Sequence, residues 1–319
     1  MNEIKLIRKY FSRLANKSKS SLNLNDDVFF DKSKNTVISV DTYVEGIHFI
    51  DFKKADLVIK KIIRSSISDL ICKGVEPKYY FISGSGNRKS FSKTNLEKVK
   101  KSLNQEQKKY SIFLGGGDTV FSNKLSFTIV TLGFSNRLIY RNKSKLNDDI
   151  YVTGNLGDSY IGYKILKKEL IVSEKLKKYF EKKYYQPSLC LRLAKKLFNF
   201  ANTSIDISDG LITDLEKLIN NQKFSYKIFF DNIPISKNLE LILSLKRLNK
   251  EHCISQGDDY QILFTAPPSK FRIINKTAKT LGIKISKIGK ICSSSNKSEI
   301  INEKGEKIPF KNTGYFHKF

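Results

Sequence analysis

The chain has 319 residues, 40% of them hydrophobic and 28% charged, with 58 Lys and Arg against 31 Asp and Glu for a formal net charge of +27. That length exceeds what one hydrophobic core usually serves and the composition is globular, which excludes a disordered chain and favours two domains. No apolar run nears the roughly 18 residues of a membrane span, and Cys72, Cys190, Cys253 and Cys292 form no CxxC pair, which argues against a thiolate metal centre.

In chain order, MNEIKLIRKYFSRL has the spacing of a short amphipathic helix and no continuous apolar stretch, so a secretory signal is not expected and the cytoplasm is the expected location. TVISVDT, KYYFISGSG, YSIFLGGGDT, KLSFTIVTLGF and DIYVTGNLGDS read as strands with their following loops. DLVIKKIIRSSISDLICKG and SFSKTNLEKVKKSLNQEQKKY between them have helical spacing. The polar stretch RNKSKLNDD marks a seam, giving domains over 1–145 and 146–319. Beyond residue 160 the pattern is mostly helical through Phe200. In SIDISDGLITDLEKLI, Ser208 or Asp209 is a candidate cap for a helix starting at Gly210 or Leu211. SYKIFFDNI, YQILFTAPP and KISKIGKICSS read as later strands, so the class is α/β and α+β.

The chemistry is carried by acids. Asp26, Asp41, Asp69, Asp118 and Asp206 stand where an apolar run stops or beside glycine, in LNDD, SVDT, SISDL, LGGGDT and IDISDG, while only three histidines are present. Taken singly, each is an ordinary turn former or helix cap. Taken together at one place, they require a cation, because like charges about 4 Å apart repel by roughly 4 kcal/mol at an effective dielectric near 20. An all-oxygen set suits Mg2+, Mn2+ or Ca2+ rather than zinc. Gly115, Gly116 and Gly117 before Asp118 offer close backbone approach to a phosphate next to a carboxylate. Neither a Walker A sequence nor a protein-kinase motif set nor a nucleophile elbow is present, so phosphate chemistry here rests on metal and position.

The ordered series LNDD, SVDTYVEGIHF, SISDLICKGVEP, LGGGDT, YVTGNLGDS, QPS, SIDISDGL, QGDDYQILFT and GYFHKF resembles the thiamine-monophosphate kinases, within the aminoimidazole ribonucleotide synthetase-like (PurM-like) superfamily. The resemblance runs the length of the chain. It implies transfer of the ATP γ-phosphoryl group to thiamine monophosphate, with several Mg2+ ions and ATP as co-substrate, in a homodimer formed through the sheet of the N-terminal domain, without membrane or nucleic-acid partners. Position by position it implies Asp26, Asp41, Asp69, Asp118 and Asp206 as Mg2+ ligands, joined by Ser39 and Asp209. Catalysis is expected to depend most on Asp118, Asp41 and Asp206. Gly117, Arg141 and Ser208 correspond to nucleotide contacts, and His48, Asp258 and Tyr315 to substrate contacts.

Each of these has a plainer role open to it: His48 as a satisfied imidazole, Arg141 as an interdomain ion pair, Tyr315 as an anchor for the tail, Asp27 and Asp209 as caps. The chain also departs from the family pattern. Asn25 stands in place of Gly before Asp26, so a turn with positive φ is expected to fall on Asn. Val40 replaces Thr, Gln256 replaces Gly or Ser, Asp258 replaces Glu and Phe316 replaces an acid. Two other functions compete with the kinase. One is a synthetase of the same superfamily acting on a ribonucleotide amide or on selenide, for which no reactive Cys lies near the N-terminus. The other is a basic nucleic-acid-binding protein, against which the five acids argue.

Overall fold

The structure, a computed structural model, describes residues 3–246, 248–309 and 314–315. Strands β1 (Phe29–Asp31), β2 (Thr36–Val44), β3 (Pro77–Gly86), β4 (Phe113–Phe121) and β5 (Ser126–Phe134) form a five-stranded sheet in the order β1-β2-β5-β3-β4. Strands β6 (Asp149–Thr153), β7 (Thr203–Asp206), β8 (Phe224–Phe229), β9 (Ile262–Ala266), β10 (Ile285–Ser293) and β11 (Glu299–Ile301) form a second sheet, β11-β8-β10-β6-β9-β7. Neither sheet takes a strand from the other half, and the polar stretch after residue 140 lies between them. The helices are α1 (Glu3–Tyr10), α2 (Ser12–Ala15), α3 (Ala55–Cys72), α4 (Lys93–Tyr110), α5 (Asp158–Leu166), α6 (Glu174–Tyr185), α7 (Ala194–Leu197), α8 (Leu211–Leu218), α9 (Lys237–Lys246), α10 (Lys250–Ile254) and α11 (Phe271–Leu281).

Helix α3 is the centre of the molecule. Val58, Ile59, Ile62, Ile63, Ile67, Leu70 and Ile71 are all buried, and so are the polar residues Lys61, Arg64, Ser65, Ser66 and Ser68. A helix apolar on one stripe normally turns its polar stripe to water. Here the second half of the chain covers that stripe, and the largest hydrophobic cluster joins α3 to Tyr184, Leu197 and Phe264. The helix stops at Gly74, which takes φ +83° and has the Phe198 ring 2.7 Å from where a Cβ would sit. The Val75 N–H then returns to the Leu70 carbonyl at 2.9 Å, so a side chain at residue 74 would be both strained and blocked.

The five-stranded sheet is two-faced. Val37, Ser39 and Tyr43 of β2 and Phe127, Ile129 and Thr131 of β5 are buried on the side of α3. The other face is open and apolar, carrying Val40, Tyr79, Phe81, Phe113, Val120 and Phe134 at 37–61% exposure. Alternation along each strand produces this division, since successive side chains point to opposite faces.

Most expected elements are present, and three local expectations are corrected. GGGDT is not a loop after a strand but the middle of β4, whose pairing with β3 shifts register between Tyr80 and Phe81. Gly117 is needed there because a Cβ would lie 1.9 Å from the Ile82 carbonyl oxygen. Asp41 likewise lies inside β2, which runs on to Val44, whereas Asp69 lies inside α3, the helix that its spacing predicts. Asn25 has φ −124°, and the positive φ values fall on Leu22, Asn23 and Leu24 instead. The Asn25 amide exchanges hydrogen bonds of 3.1 and 3.0 Å with Asn220, across the two halves.

Candidate active site

Acids from four separate stretches meet where the C-terminal half of α3 touches β2, β7 and the loop before β1. Among the described residues, Asp27, Asp69 and Asp206 each offer a carboxylate oxygen within 4.8 Å of the others, an arrangement able to hold a metal ion. Asp41 belongs to the same field: its charge and that of Asp206 both act on Asp69. The donors facing Asp41, Asp69 and Asp206 are hydroxyls. Ser39 Oγ donates to Asp69, Ser68 Oγ donates to Asp206 at 2.7 Å, and Tyr43 OH reaches Asp41 at 3.3 Å. Burial raises the pKa of Asp41 to about 6 and, reinforced by neighbouring acids, that of Asp206 to about 6. Asp69 is pushed well above the carboxylate range by burial and then by Asp41 and Asp206. Raised values in a cluster of acids report charge that the protein itself leaves uncompensated. A hard divalent cation fits this donor set of oxygens, and binding one would favour the ionised carboxylates.

The neighbouring pair is treated differently. Lys73, completely buried, places Nζ 2.8 Å from Asp26 and 2.7 Å from Asp27. Arg141 ion-pairs with Asp27, and its backbone N–H donates to Asp26 at 2.9 Å. The ion pair of Arg141 thus lies within residues 1–145 and is not an interdomain pair, although the side chain is also within electrostatic reach of Asp206, Asp209 and Asp214.

The β7–α8 loop, SIDISDG, presents Asp206, Ser208 and Asp209 at one rim. Neither Ser208 nor Asp209 caps α8. The Asp214 carboxylate, fully buried, accepts the backbone N–H groups of Ser208, Asp209 and Gly210 at 3.0, 2.9 and 3.1 Å. An acid four residues into the helix thus organises the loop ahead of it, which a search for a capping side chain before the helix does not find. Lys217 bridges Asp209 and Asp214, the latter at 3.1 Å. The QGDDY segment is stapled to the same loop: Asp258 N–H donates to the Ser208 carbonyl and Tyr260 N–H to the Ile207 carbonyl, both at 2.8 Å. Gly257 makes this possible, since a Cβ there would lie 2.1 Å from the Ser208 oxygen. The Tyr315 N–H donates to the Asp209 carbonyl at 2.9 Å, which anchors the tail at this rim and leaves the Tyr315 ring half-exposed.

Asp258 does not stand free. It ion-pairs with the buried Lys61 of α3 and accepts from Tyr260 OH at 2.9 Å. The Lys61 ammonium also lies 4.0 Å over the Tyr184 ring, an attraction between cation and π face. His48 is half-buried, with Nδ1 accepting the Val44 N–H at 3.0 Å, so a neutral ring carries its proton on Nε2. Val40 is 61% exposed on the open face, away from the acids. Gln256 occupies the turn just before Gly257, its N–H 3.4 Å from the Cys253 carbonyl. Phe316 lies outside the described residues.

Asp118 is not brought to its own chain's cluster. Pairing runs Thr42 to Thr128 to Ser83 to Asp118, so Asp118 shares the open face with Thr42, three strands over, or about 14 Å at ~4.8 Å per strand. Gly117 pairs in the adjacent row, on the face of Asp41. Sequence reasoning missed Lys73, Lys61, Asp214 and Lys217, although ICKGVEP directly after SISDL put a lysine beside the acids in plain view.

Two-sheet architecture with a carboxylate cluster against a central helix defines the class: residues 25–135 match the family model for the N-terminal domain of AIR synthase related proteins. The chain is 34% identical to the thiamine-monophosphate kinase of Buchnera aphidicola subsp. Schizaphis graminum, over 99% of this chain and 98% of that one. It is 30% identical to the thiamine-monophosphate kinase of Escherichia coli K12, again over 99% and 98%. A solved structure of AaThiL complexed with AMPPCP and TMP superposes with a TM-score of 0.86 at 25% identity, covering 99% of this chain and 97% of that one. The chain belongs to the thiamine-monophosphate kinase family. Among the described residues no helix is long and apolar enough to cross a membrane.

Proposed function

We infer that the protein transfers the γ-phosphoryl group of ATP to the phosphate of thiamine monophosphate, in the presence of Mg2+, giving thiamine diphosphate and ADP. The observation that carries this reading is the convergence of Asp41, Asp69 and Asp206, each facing a hydroxyl donor, with Asp27, in a chain of this family. In the transfer the bond from Pγ to the bridging oxygen of ADP breaks and a bond from Pγ to a phosphate oxygen of thiamine monophosphate forms. Both reactants are anions at neutral pH, so their approach is repulsive until charge is neutralised. Bound Mg2+ would supply that neutralisation, with Asp27, Ser39, Asp41, Asp69, Asp206 and Asp209 as the residues that would hold it.

The protein's own groups do the rest. The acceptor phosphate is already ionised, so no side chain needs to act as a strong base. Arg141, poised over the acids, and Ser208, on the rim loop, are placed to orient the nucleotide. The Nε2–H of His48 offers a donor, while Asp258 offers a carboxylate to the positively charged thiazolium ring of thiamine. Tyr315, with its backbone tied to Asp209, closes the same rim. The division into 1–145 and 146–319 fits this picture, with the reaction between the two halves.

The working form is a homodimer. Val40, Phe81, Phe113, Val120 and Phe134 form an exposed apolar face next to the open edge of β4, and a second copy is the occupant that hides both at once. Asp118 and Gly117 lie on that edge strand, so packing of two sheets carries them toward a site. Phosphorus NMR of the protein with ATP, Mg2+ and thiamine monophosphate tests the reaction. Diphosphate and ADP signals growing together support it, and saturating substrates without a thiamine diphosphate signal would falsify it.

A further inference from the structure

We propose that Lys73 is a built-in cation of the active site, standing where a divalent ion would otherwise be needed at the Asp26 end of the acidic cluster. The inference deepens the metal reading above and rests on it. Lys73 is completely buried, yet its ammonium has all three N–H directions taken: Asp26 Oδ1 at 2.8 Å, Asp27 Oδ2 at 2.7 Å and the Ser204 carbonyl at 2.6 Å. It sits just past the end of α3, where the Ser204 hydroxyl also donates to the Cys72 carbonyl, so helix and β7 hold it in place.

The charges in the cluster divide into two groups. Asp26 and Asp27 face two cations, Lys73 and Arg141, and every one of their four carboxylate oxygens accepts from a nitrogen. Asp26 Oδ1 takes Lys73 and the Asp27 N–H, Asp26 Oδ2 takes the Arg141 N–H, and both oxygens of Asp27 face Arg141. Among the described residues, Asp41, Asp69 and Asp206 face no such cation at hydrogen-bond distance, only hydroxyls. A metal ion bound through Asp26 would share a carboxylate that already holds an ammonium, and the two cations would repel. Arg141 is the longer member and keeps 14% of its side chain exposed, whereas Lys73 has none. The structure thus assigns divalent ions to the hydroxyl-lined acids, with Asp27 at the border between the two groups, and assigns Asp26 to Lys73, making Lys73 a positioning residue rather than a catalytic one.

Mn2+ binding, counted by electron paramagnetic resonance on the full chain without ATP or thiamine monophosphate, tests this. Lys73→Met keeps the length of the side chain and removes the charge. The expected result is one additional Mn2+ per chain, together with a metal-free protein that melts several degrees lower and recovers in Mg2+. An unchanged Mn2+ count in a folded Lys73→Met protein overturns the proposal. Should that variant not fold, Asp26→Asn in the otherwise unaltered chain decides: an unchanged count supports the assignment, and loss of one Mn2+ overturns it. Because no substrate is present, a result against Lys73 is separate from one against the kinase reaction, which the NMR assay reads.

Discussion

The two halves of α3 bury charge in opposite ways. Toward its N-terminus, Lys61 pairs with Asp258, and Arg64 makes a two-pronged pair with Glu106 at 2.8 and 2.9 Å while donating to the Pro187 carbonyl at 3.2 Å. Toward its C-terminus, Asp69 meets Asp41 and Asp206 with hydroxyl donors and, among the described residues, no cation at hydrogen-bond distance. A buried charge is tolerable only when paired or when it titrates. The first half is paired by the protein and holds the two parts of the chain together. The second half is left for something outside the chain to pair, and that is what makes it a site.

The sharpest way to break this comparison is to neutralise one acid at each place. Asp206→Asn removes a carboxylate that nothing in the protein compensates, so phosphoryl transfer should fall by about 1,000-fold, the scale of several kcal/mol of metal-held charge stabilisation. The same variant without metal should be no less stable than the parent, because a repulsion has gone. An Asp206→Asn enzyme with near-normal kcat would end the distinction. Next in size is Arg64→Met, which strands Glu106 in the core and should cost about 3–5 kcal/mol of stability in urea titration. Stability within 1 kcal/mol of the parent would show that this half of α3 is not held by its ion pair.

Acidity sharpens the contrast further. Asp41 and Asp206, ordinarily near 3.8, are raised to about 6 in the folded protein by burial. Between these values the folded form binds more protons than the unfolded form, so their contribution to stability is complete below about pH 3.8 and is lost as pH rises through 6. Metal-free protein should therefore melt several degrees lower at pH 7.5 than at pH 5.5, and Mg2+ should raise the midpoint far more at the higher pH. A midpoint that climbs with pH in chelator would contradict the assignment. The smallest effect is expected from Asp258→Asn, which leaves Lys61 with a neutral partner. KM for thiamine monophosphate should rise about tenfold, or roughly 1.4 kcal/mol, with kcat less affected, and steady-state kinetics would reveal the reverse split if Asp258 served the chemistry instead.

How much of this was legible in the sequence varies by residue. The strands around SVDT, FISGSG and SFTIVTLGF follow from period-two alternation, and the acids stood out because so few other metal-binding side chains were present. Lys61, Arg64, Ser65 and Ser68 did not stand out: at helical spacing they read as an ordinary wet stripe, and only the second half of the chain packing on α3 turns that stripe inward. Asp214 was hidden for a different reason. Its partners are backbone N–H groups, which every residue carries and no pattern marks. Asp118 was read correctly as conspicuous and incorrectly as a loop residue, since a glycine run that usually ends a strand here lets β4 pass close to the Ile82 backbone.

By itself the sequence determined the inventory of the protein: which segments alternate as strands, where helix α3 runs, and that oxygen ligands for a hard cation come from several separate stretches. The tertiary structure decided how charge is shared among them. Carboxylates distant in the chain become either half of an ion pair or part of an unsatisfied cluster according to which neighbour folds against them. That outcome depends on a few ångströms of placement, because charge interaction in a buried site rises steeply as water is excluded.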